Sequence, residues 1–365
     1  MSKIAIIDQS TSKFTKETSL SFQDLACDPC SKILKKCRDK SLQIDAVILS
    51  TTSDIQYGSS IISEYLGIKP KISQRLDNLC SSGTNAIVSA YSLIKSDLCK
   101  TALVVGADIR ETKGSRLLWD ISRGSFTLPV YWAAIFAKAH MRKYGTTEEQ
   151  MALVAVKNRE NAYHNQNAVF RNKISISDVM NSKKYVEPIK MLDCSYICNG
   201  ASAILLTNEE EAKKYTDRPV WIEGIGSSTE GASFSNVSSD LSCIRSTVMA
   251  SKMAFSMTEI GPAQIDVAEL HDAFTIMEIL AYEDLGLCQK GKGGRFVSEN
   301  SLVTNPRGGL IGAGHPLGAT GVAQTVEICE QLNGLAGKRQ VKDCKTGLVH
   351  NMSAAGSSSL VLILT

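Results

Sequence analysis

Cys80 is the residue of this chain best suited to nucleophilic chemistry. It stands in a run of small residues with one glycine, residues 78–86, between a strand-like stretch and an apolar helical pattern. A sulfur at a helix N-terminus is favoured as the thiolate, because unpaired backbone N–H groups and the helix dipole stabilise negative charge. Many cysteines at helix starts are simply packed, so Cys80 becomes a candidate nucleophile through the patterns that accompany it.

Two histidines could serve that sulfur. His315 lies within residues 312–321, where glycines permit tight turns and Pro316 restricts the backbone just after the imidazole. A side chain held this rigidly suits a base that must meet a thiol at hydrogen-bond distance. His271 ends the apolar stretch 265–270, and residues at the carboxyl ends of parallel strands face the ligand crevice. A thiol, a base and hydrogen-bond donors together predict nucleophilic acyl transfer.

A second strand end carries a polar pair, His350 and Asn351. By the same rule about strand ends, these residues could orient water or backbone near the same place. For His350, a buried and hydrogen-bonded histidine without a catalytic role is an equally good interpretation.

Composition and charge exclude several classes of function. The 365 residues exceed an ordinary single-domain length, so two domains or two fused halves are expected. A formal net charge of +3 gives no reason to expect a nucleic-acid or membrane partner. The apolar runs are too short to span a bilayer, and the first residues enter a strand pattern directly, which predicts a cytoplasmic protein.

Eleven cysteines are many for a cytoplasmic protein. Cys27 with Cys30, and Cys194 with Cys198, have spacings that hint at a metal, but neither pair is matched by a second pair at zinc-site spacing. A free cysteine in apolar surroundings behaves as a small hydrophobe. We therefore expect no metal site.

The order of the local patterns predicts an α/β fold built from two similar halves. In the N-terminal part the patterns alternate in the order strand 4–8, helix 22–36, strand 46–50, helix 59–66, helix 80–95 and strand 101–107. In the second half they recur as strand 220–225, helix 243–255, strand 267–271, helix 274–286, helix 319–332 and strands 346–350 and 358–364. This rhythm indicates parallel β-α-β units and an internal pseudo-repeat.

Residues 114–193 differ in character from both halves. They hold aromatic residues, namely Trp119, Tyr131, Trp132, Tyr163 and Phe170, among many basic ones. The stretch is too long for a plain loop in a compact domain. We interpret it as an excursion that closes over a ligand, with a helical insertion of no special role as the alternative. From Asn199 the chain returns to a strand at residues 202–206.

In its motifs and their order the whole chain resembles the thiolase superfamily. Residues 78–86 resemble the nucleophile motif of that family, residues 314–316 its base motif, residues 147–159 its loop-domain helix and residues 199–201 the return from the loop domain. His-Asp-Ala-Phe at 271–274, with His350 and Asn351, points to the archaeal and sterol-carrier-type branch.

The resemblance implies a fold and its division. We expect two βαβαβαββ halves in a five-layered αβαβα arrangement, with an added loop domain. The N-terminal half would comprise residues 1–113, completed by 194–217, the loop domain 114–193 would cover the CoA site, and the C-terminal half would comprise 218–365.

Two departures from the family pattern bear on mechanism. Typical thiolases carry a second catalytic cysteine in a Cys-x-Gly-Gly-Gly motif, whereas residues 351–356 contain none, and Ala273 stands where sterol-carrier-type thiolases place that cysteine. Archaeal acetoacetyl-CoA thiolases resemble this chain in that respect, so we expect a histidine to take over the proton transfer, with His271 favoured and His315 the competitor. Ser353 replaces a glycine that usually supplies an oxyanion-hole N–H.

The resemblance also implies an activity, substrates and partners. The expected reaction converts two acetyl-CoA to acetoacetyl-CoA and CoA, reversibly, through an acyl group on Cys80, with CoA thioesters as substrates and no further cofactor. The basic residues that could contact the CoA phosphates are Arg116, Arg123, Arg142, Arg159 and Arg171. The expected assembly is a homodimer or tetramer, with hydroxymethylglutaryl-CoA synthase and a zinc-ribbon/OB-fold subunit as further partners.

Other functions remain open at this point. A thiolase-like aldolase would cleave C–C bonds of CoA thioesters with an OB-fold partner and without a nucleophilic cysteine. The missing second cysteine and Ser353 motivate a non-catalytic scaffold subunit. A condensing enzyme that acts on acyl carrier protein resembles the chain less around His271.

Overall fold

The computed structural model describes residues 3–110, 122, 124–233, 240–299 and 301–365. The strands are β1 (Ile4–Thr11), β2 (Ala46–Ser50), β3 (Ile72–Leu76), β4 (Thr101–Asp108), β5 (Lys184–Val186), β6 (Ile189–Lys190), β7 (Gly200–Asn208), β8 (Val220–Thr229), β9 (Val267–Glu269), β10 (Val303–Thr304), β11 (Gly347–Ser353) and β12 (Ser358–Leu364). The helices are α1 (Phe22–Asp39), α2 (Gly58–Tyr65), α3 (Ser82–Lys95), α4 (Pro129–Tyr144), α5 (Glu148–Tyr163), α6 (Ile176–Met180), α7 (Glu209–Tyr215), α8 (Arg245–Ser256), α9 (Thr275–Asp284), α10 (Gly293–Glu299), α11 (Gly309–Ala313) and α12 (Leu317–Leu332).

The two halves repeat one strand order. The first half pairs its strands as β3-β2-β4-β7-β1 and the second as β10-β9-β11-β12-β8. In both, the first two pairings are parallel and the last two antiparallel. A short antiparallel contact of Ala5 with Trp221 and of Ile6 with Val220 joins β1 to β8. The predicted pseudo-repeat is therefore confirmed, although the sequence pattern had not resolved the two edge strands, β3 and β10.

The apolar cores show how helices cover both faces of each half. Side chains alternate between the faces of a strand, so on β2 Leu49 packs towards α1 and α2 whereas Ile48 packs towards α3 and α12. The inner core also takes in Val349 of β11, so α3 and α12 lie between the two halves. Helices α8 and α9 cover the far face of the second half through residues such as Ala250. This layering agrees with the expected fold class.

Glycines let the two central helices meet at close range. A Cβ atom placed on Gly83 of α3 would lie 2.8 Å from the backbone nitrogen of Val322 of α12. One placed on Gly321 of α12 would lie 2.5 Å from the backbone nitrogen of Thr84. Real Cβ atoms do not approach backbone this closely, so the crossing needs glycine on both sides.

The excursion between β4 and β7 contributes no strand to the ten strands of the two halves. It carries α4, α5, α6 and the small hairpin of β5 with β6. Helix α5 begins with a capping box, in which the Thr147 side chain accepts from the Gln150 N–H and the Gln150 side chain accepts from the Thr147 N–H. Helix α4 packs Trp132 and Phe136 against α9 of the second half. The exact domain boundaries stay a prediction, and the boundary at 113/114 lies outside the described residues.

Helix α1 has the pattern of a helix with one buried and one exposed face. Helix α1 is amphipathic, with Leu25 and Ile33 buried and basic residues in its last turn. None of the described helices is both long and apolar enough to cross a membrane.

The helix crossing yields a prediction about stability. Replacing glycine by alanine inside an exposed helix normally stabilises it by about 1 kcal/mol. We expect Gly83→Ala instead to destabilise the fold by about 2 kcal/mol or more, because the added methyl would force the helices apart. Gly261→Ala is the matched control, since its nearest neighbour would be a flexible side-chain oxygen of Gln264 at 3.6 Å. Urea unfolding measures both; equal midpoints for Gly83→Ala and the wild type would contradict the prediction.

Candidate active site

Three predicted catalytic residues meet in one place. The Cys80 sulfur and ring nitrogens of His271 and His315 all lie within 4.8 Å of one another. The two imidazole rings are 5.3 Å apart between centroids and nearly perpendicular, at 80°. Cys80 comes from the turn before α3, His271 from the end of β9, and His315 from the link between α11 and α12. The fold thus brings together groups from both halves of the chain.

The three groups border a cavity of about 500 Å³. Its wall is mostly apolar and includes side chains from the excursion, which lies over the site as the sequence predicted. The lining residues from the excursion are Leu128, Pro129, Val130, Tyr131 and Tyr185. Cys80 is half-buried in this wall. The cavity can therefore admit an acyl group with a narrow chain behind it.

The turn that carries Cys80 is fixed from the opposite half. Leu79 takes a left-handed conformation with φ of 49°. The Ser353 hydroxyl accepts from the Ser81 N–H at 3.1 Å, lies 2.6 Å from the Ser81 hydroxyl, and donates to the Asn78 carbonyl. Ser353 thus acts through its side chain, which holds the nucleophile turn, a role that the sequence did not suggest.

Two backbone N–H groups favour the charged form of the sulfur. Hydrogen bonding from those of Cys80 and Ala354 lowers the pKa of the Cys80 thiol. Ala354 directly follows Ser353, the position at which the family usually supplies an oxyanion-hole N–H. Ala354 has φ of 51°, the left-handed conformation that glycine adopts most easily. These two groups are placed to stabilise negative charge on or beside the sulfur.

Burial keeps the site neutral. It raises the pKa of the Cys80 thiol to about 12, against the two N–H groups. Burial, followed by the charge of Arg307, lowers the pKa of His315 to about 3. The pKa of His271 also falls well below its usual value, first through burial and then through the neighbouring imidazoles. Desolvation of the Cys80 sulfur thus outweighs the stabilisation of the thiolate that a helix start by itself favours.

The His315 loop is held at both ends by buried carboxylates. Asp272 accepts from the N–H groups of Leu310 and Ile311, at 2.6 and 3.2 Å, at the start of α11. Asp108, at the end of β4, accepts from the Gly318 N–H at the start of α12. The position of Asp108 at a strand end was the signal that could have identified it from sequence.

His315 itself has two further partners. Its backbone N–H donates to the Tyr196 carbonyl at 2.9 Å. Its Nδ1 atom lies 2.7 Å from the Thr320 hydroxyl, which donates to the Pro316 carbonyl at 3.0 Å. The Nε2 atom is left for the cavity.

His271 is held by the side-chain amide of Asn351, which is in turn held by the amide of Gln324. The Nδ2 atom of Asn351 lies 3.0 Å from His271 Nδ1 and donates to Gln324 Oε1 at 2.8 Å. Asn351 was predicted as a supporting residue, whereas Gln324 was missed because it lies within a helix and outside any motif.

His350 does not join the site. Its Nε2 atom lies 3.1 Å from the Thr247 hydroxyl of α8, and it is absent from the cavity wall. Alternation along β11 turns His350 to the face opposite Asn351. The interpretation as a buried, hydrogen-bonded histidine fits this position.

Comparison with known proteins identifies the family. The sequence matches the family models "Thiolase, N-terminal domain" over residues 4–210 and "Thiolase C-terminal domain-like" over residues 226–365. The chain belongs to the thiolase family. An acetyl-CoA acetyltransferase of Methanothermobacter thermautotrophicus is 34% identical, with 100% of both chains covered. Sterol carrier protein 2 of Gallus gallus is 30% identical over 99% of this chain and 71% of its own length.

These relatives confirm the resemblance read from the motifs, and they make this thiolase an acyltransferase enzyme. Among solved structures, an Ltp2-ChsH2(DUF35) aldolase superposes with a TM-score of 0.85 at 23% identity, covering 99% of this chain and 97% of that chain. Human mitochondrial 3-ketoacyl-CoA thiolase superposes with a TM-score of 0.77 at 15% identity, covering 100% and 98%. At such identities the likeness concerns the fold, which is confirmed as that of the thiolases.

The arginines proposed for CoA lie in different surroundings in this thiolase. Arg159 is buried, bound to the Asn172 side chain at 2.6 Å and stacked over Phe170 at 4.4 Å, so it is already engaged. Arg171 is exposed and borders a separate polar cleft. Arg116 and Arg123 lie outside the described residues.

Arg142 is exposed on α4, one helical turn from Lys138. Lys138 borders an apolar cavity of about 300 Å³ that shares Tyr131 with the catalytic one. Since residues four apart lie on the same face of a helix, this face of α4 presents two cations beside the site. Lys138 is a candidate that the sequence analysis missed.

The cysteine pairs with metal-like spacing do not form a metal cluster within the described residues. The group there with suitable geometry is the candidate catalytic one, Cys80 with His271 and His315. Cys198 packs with Phe14 in a small apolar cluster, and Cys194 borders the catalytic cavity.

The raised pKa of Cys80 predicts a specific alkylation profile. Only the thiolate reacts with iodoacetamide, so a thiol of pKa about 12 should react about tenfold faster for each pH unit from 7 to 10, without a plateau. Glutathione serves as the reference thiol and should level off at a lower pH. Mass spectrometry of the Cys80 peptide measures the rate. A plateau below pH 8 would show that the thiolate is stabilised without any substrate added and would contradict the prediction.

The role of Asp108 gives a prediction about the loop. Its carboxylate accepts six hydrogen bonds from Thr51, Thr52, Ser53 and Gly318 among the described residues. In Asp108→Asn an amide N–H would face one of these donors, so we expect a loss of about 2 kcal/mol in stability and lower activity. Chemical unfolding with the exposed Asp39→Asn as control measures the difference; equal losses in the two variants would argue against the role.

Proposed function

We propose that this thiolase interconverts two acetyl-CoA with acetoacetyl-CoA and CoA, through an acetyl group carried on the Cys80 sulfur. The observation that carries the proposal is the approach of that sulfur and the nitrogens of His271 and His315 to within 4.8 Å of one another. They border a mostly apolar cavity open to a chain-like substrate. The name of the archaeal relative, acetyl-CoA acetyltransferase, supports acetyl as the transferred group.

The first half-reaction loads the enzyme. His315 takes the Cys80 proton as the sulfur attacks the thioester carbonyl, and the N–H groups of Cys80 and Ala354 stabilise the oxyanion that develops. The bond from carbonyl carbon to CoA sulfur then breaks, and the CoA sulfur leaves with the proton from His315. Acetyl-Cys80 and a neutral imidazole remain.

The second half-reaction forms the new carbon–carbon bond. A second acetyl-CoA places its thioester oxygen beside the imidazoles and loses an α-proton to one of them. The resulting carbanion attacks the acetyl carbonyl, the bond to the Cys80 sulfur breaks, and the sulfur regains a proton. His271 and His315 are the candidates for the base, because both rings border the cavity.

A second thiol, Cys194, also borders the cavity. Its backbone pairs with that of Phe274, beside Ala273. Its thiol donates to the Lys190 carbonyl at 3.3 Å, and burial raises its pKa to about 12. A thiol engaged in this way and so hard to ionise is a poor base, which supports a histidine in that role.

We also propose an assembly. The assembly is a homodimer or tetramer in the cytoplasm, completed by an OB-fold partner that helps to hold CoA. The engagement of Arg159 within the fold supports the need for that partner, because this arginine is not free to contact CoA. The aldolase of similar fold contains a DUF35 component according to its name. Hydroxymethylglutaryl-CoA synthase, as consumer of acetoacetyl-CoA, belongs to the same proposal.

The acyl-enzyme is tested by two matched cysteine variants. With radiolabelled acetyl-CoA, Cys80→Ala should lose transfer of label to protein and thiolysis of acetoacetyl-CoA by about a thousandfold or more, because the nucleophile is gone. Cys194→Ala should lower thiolysis by less than about tenfold, since packing alone changes. Peptide mass spectrometry locates the acetyl group. Label on Cys194, or full thiolysis by Cys80→Ala, would refute the scheme.

The same assay separates the competing functions. Thiolysis of acetoacetyl-CoA is measured with and without an OB-fold partner, and we expect the partner to lower KM. An aldolase would cleave its substrate equally well after Cys80→Ala, and a scaffold subunit would form no acetyl-CoA from acetoacetyl-CoA and CoA under any of these conditions.

A further inference from the structure

The orientation of the Gln324 amide is determined by two backbone carbonyls. Its Nε2 donates to the Leu270 carbonyl at 3.1 Å and reaches the His350 carbonyl at 3.5 Å. A carbonyl can only accept, so the nitrogen must face these groups and Oε1 must face the other way. Gln324 is fully buried, and no solvent competes for these bonds.

The orientation of the Asn351 side-chain amide is determined by that of Gln324. Since Gln324 Oε1 can only accept, the Asn351 atom 2.8 Å from it must be the amide nitrogen. The same nitrogen lies 3.0 Å from His271 Nδ1. An amide nitrogen can only donate, so His271 Nδ1 accepts and carries no proton. The proton of the neutral ring therefore sits on Nε2.

His315 is held in the opposite tautomer. The Thr320 oxygen lies 3.0 Å from the Pro316 carbonyl and 2.7 Å from His315 Nδ1. The carbonyl can only accept, so both contacts are hydrogen bonds only when the hydroxyl gives its single proton to the carbonyl and accepts from His315 Nδ1. His315 Nδ1 therefore carries the proton, and Nε2 has a free lone pair.

We propose that Gln324, Asn351 and Thr320 are positioning residues that make His271 a hydrogen-bond donor and His315 the single base of both half-reactions. This inference rests on the proposed function and decides between its two candidate bases. His271 Nε2, which already bears a proton, donates to the thioester oxygen and stabilises the enolate that forms. His315 Nε2 receives the thiol proton in the first half-reaction and the α-proton in the second.

The proton balance closes with one base. In the first half-reaction the proton moves from Cys80 to His315 Nε2 and leaves on the CoA sulfur. In the second it moves from the α-carbon to His315 Nε2, and then to the Cys80 sulfur as the bond from sulfur to acetyl carbon breaks. The enzyme ends as it began, with a thiol and a neutral imidazole, and neither a second cysteine nor any oxidant is needed.

The preference for His271 as base, drawn from its strand-end position, is thereby reversed. To act as base, His271 would have to free Nε2 by moving its proton to Nδ1, where it would meet the Asn351 donor. The same tautomer makes His271 Nε2 unfit as a metal ligand, because ligation needs an unprotonated nitrogen.

The tautomers are read directly by NMR. Long-range proton–nitrogen correlations of histidine-labelled protein distinguish protonated from unprotonated ring nitrogens, and the chain has five histidines to assign. We expect the proton on Nε2 in His271 and on Nδ1 in His315 of the wild-type protein. The same tautomer in both rings would overturn the inference. This readout needs no turnover, so a failure of the proposed function leaves it intact and separately measurable.

Variants of the positioning residues extend this test. Asn351→Asp offers only acceptors to His271, so we expect its proton to move to Nδ1 while His315 is unchanged. The exposed Asn181→Asp is the matched control and should leave both rings as in the wild type. If the buried charge prevents folding, Gln324→Met removes the amide without adding charge, and His271 should then populate both tautomers. An unshifted His271 in either folded variant would contradict the relay.

The base is assigned by exchange of substrate hydrogens. In a Cys80→Ala background no acetyl group can be loaded, so exchange of acetyl-CoA α-hydrogens with D2O reports the base. A further His315→Asn change should lower exchange by about a hundredfold or more, because the base is lost. His271→Asn, which keeps an N–H donor, should lower it by about tenfold or less. The reverse ranking would make His271 the base, and loss of exchange after Cys194→Ala would assign it to that thiol.

Discussion

The close crossing of α3 and α12 is the constraint on which this structure depends. Gly83 and Gly321 allow the two helix backbones to touch between the two halves of the fold. Cys80 stands three residues before Gly83, and His315 stands six residues before Gly321. Any side chain at the crossing would separate the helices by about its own width, and the sulfur would then move away from the imidazoles that now lie within 4.8 Å of it. The two halves of the fold thus bring the N-terminal ends of α3 and α12 close to each other.

The same burial that joins the halves sets the chemistry of the site. Burial raises the pKa of the Cys80 thiol and lowers those of both imidazoles, so charge on these groups is unfavourable. In the proposed reaction, ionisation of the sulfur is coupled to the arrival of a thioester, whose developing oxyanion meets N–H groups already in place. A neutral resting thiol also avoids reactions with other electrophiles. The protonation of these groups is therefore controlled mainly by burial and by hydrogen bonds at fixed positions.

Buried polar residues supply that precision from outside the cavity. Asp108 and Asp272 bind N–H groups at two helix starts and so hold the His315 loop from both sides. Gln324 and Asn351 hold His271 through amides that can point only one way. Each of these groups is fully buried, and a buried polar group left unpaired would cost stability. The contacts therefore specify geometry as well as stabilising the fold.

The sequence by itself determined the chemical groups and the order of the elements. Cys80, His271 and His315 stand in local patterns whose glycine, proline and strand-end positions are legible without a structure, and hydrophobic periodicity predicted two α/β halves. Tertiary structure alone decided the fate of His350, since alternation along β11 turns it away from the cavity. It alone revealed what Asp108 binds, because its strand-end position marks the residue but a hydrogen bond across 210 positions of the chain leaves no local pattern. Ionisation and tautomer likewise have no local pattern in the sequence, because both depend on burial and on partners that distant segments bring into contact.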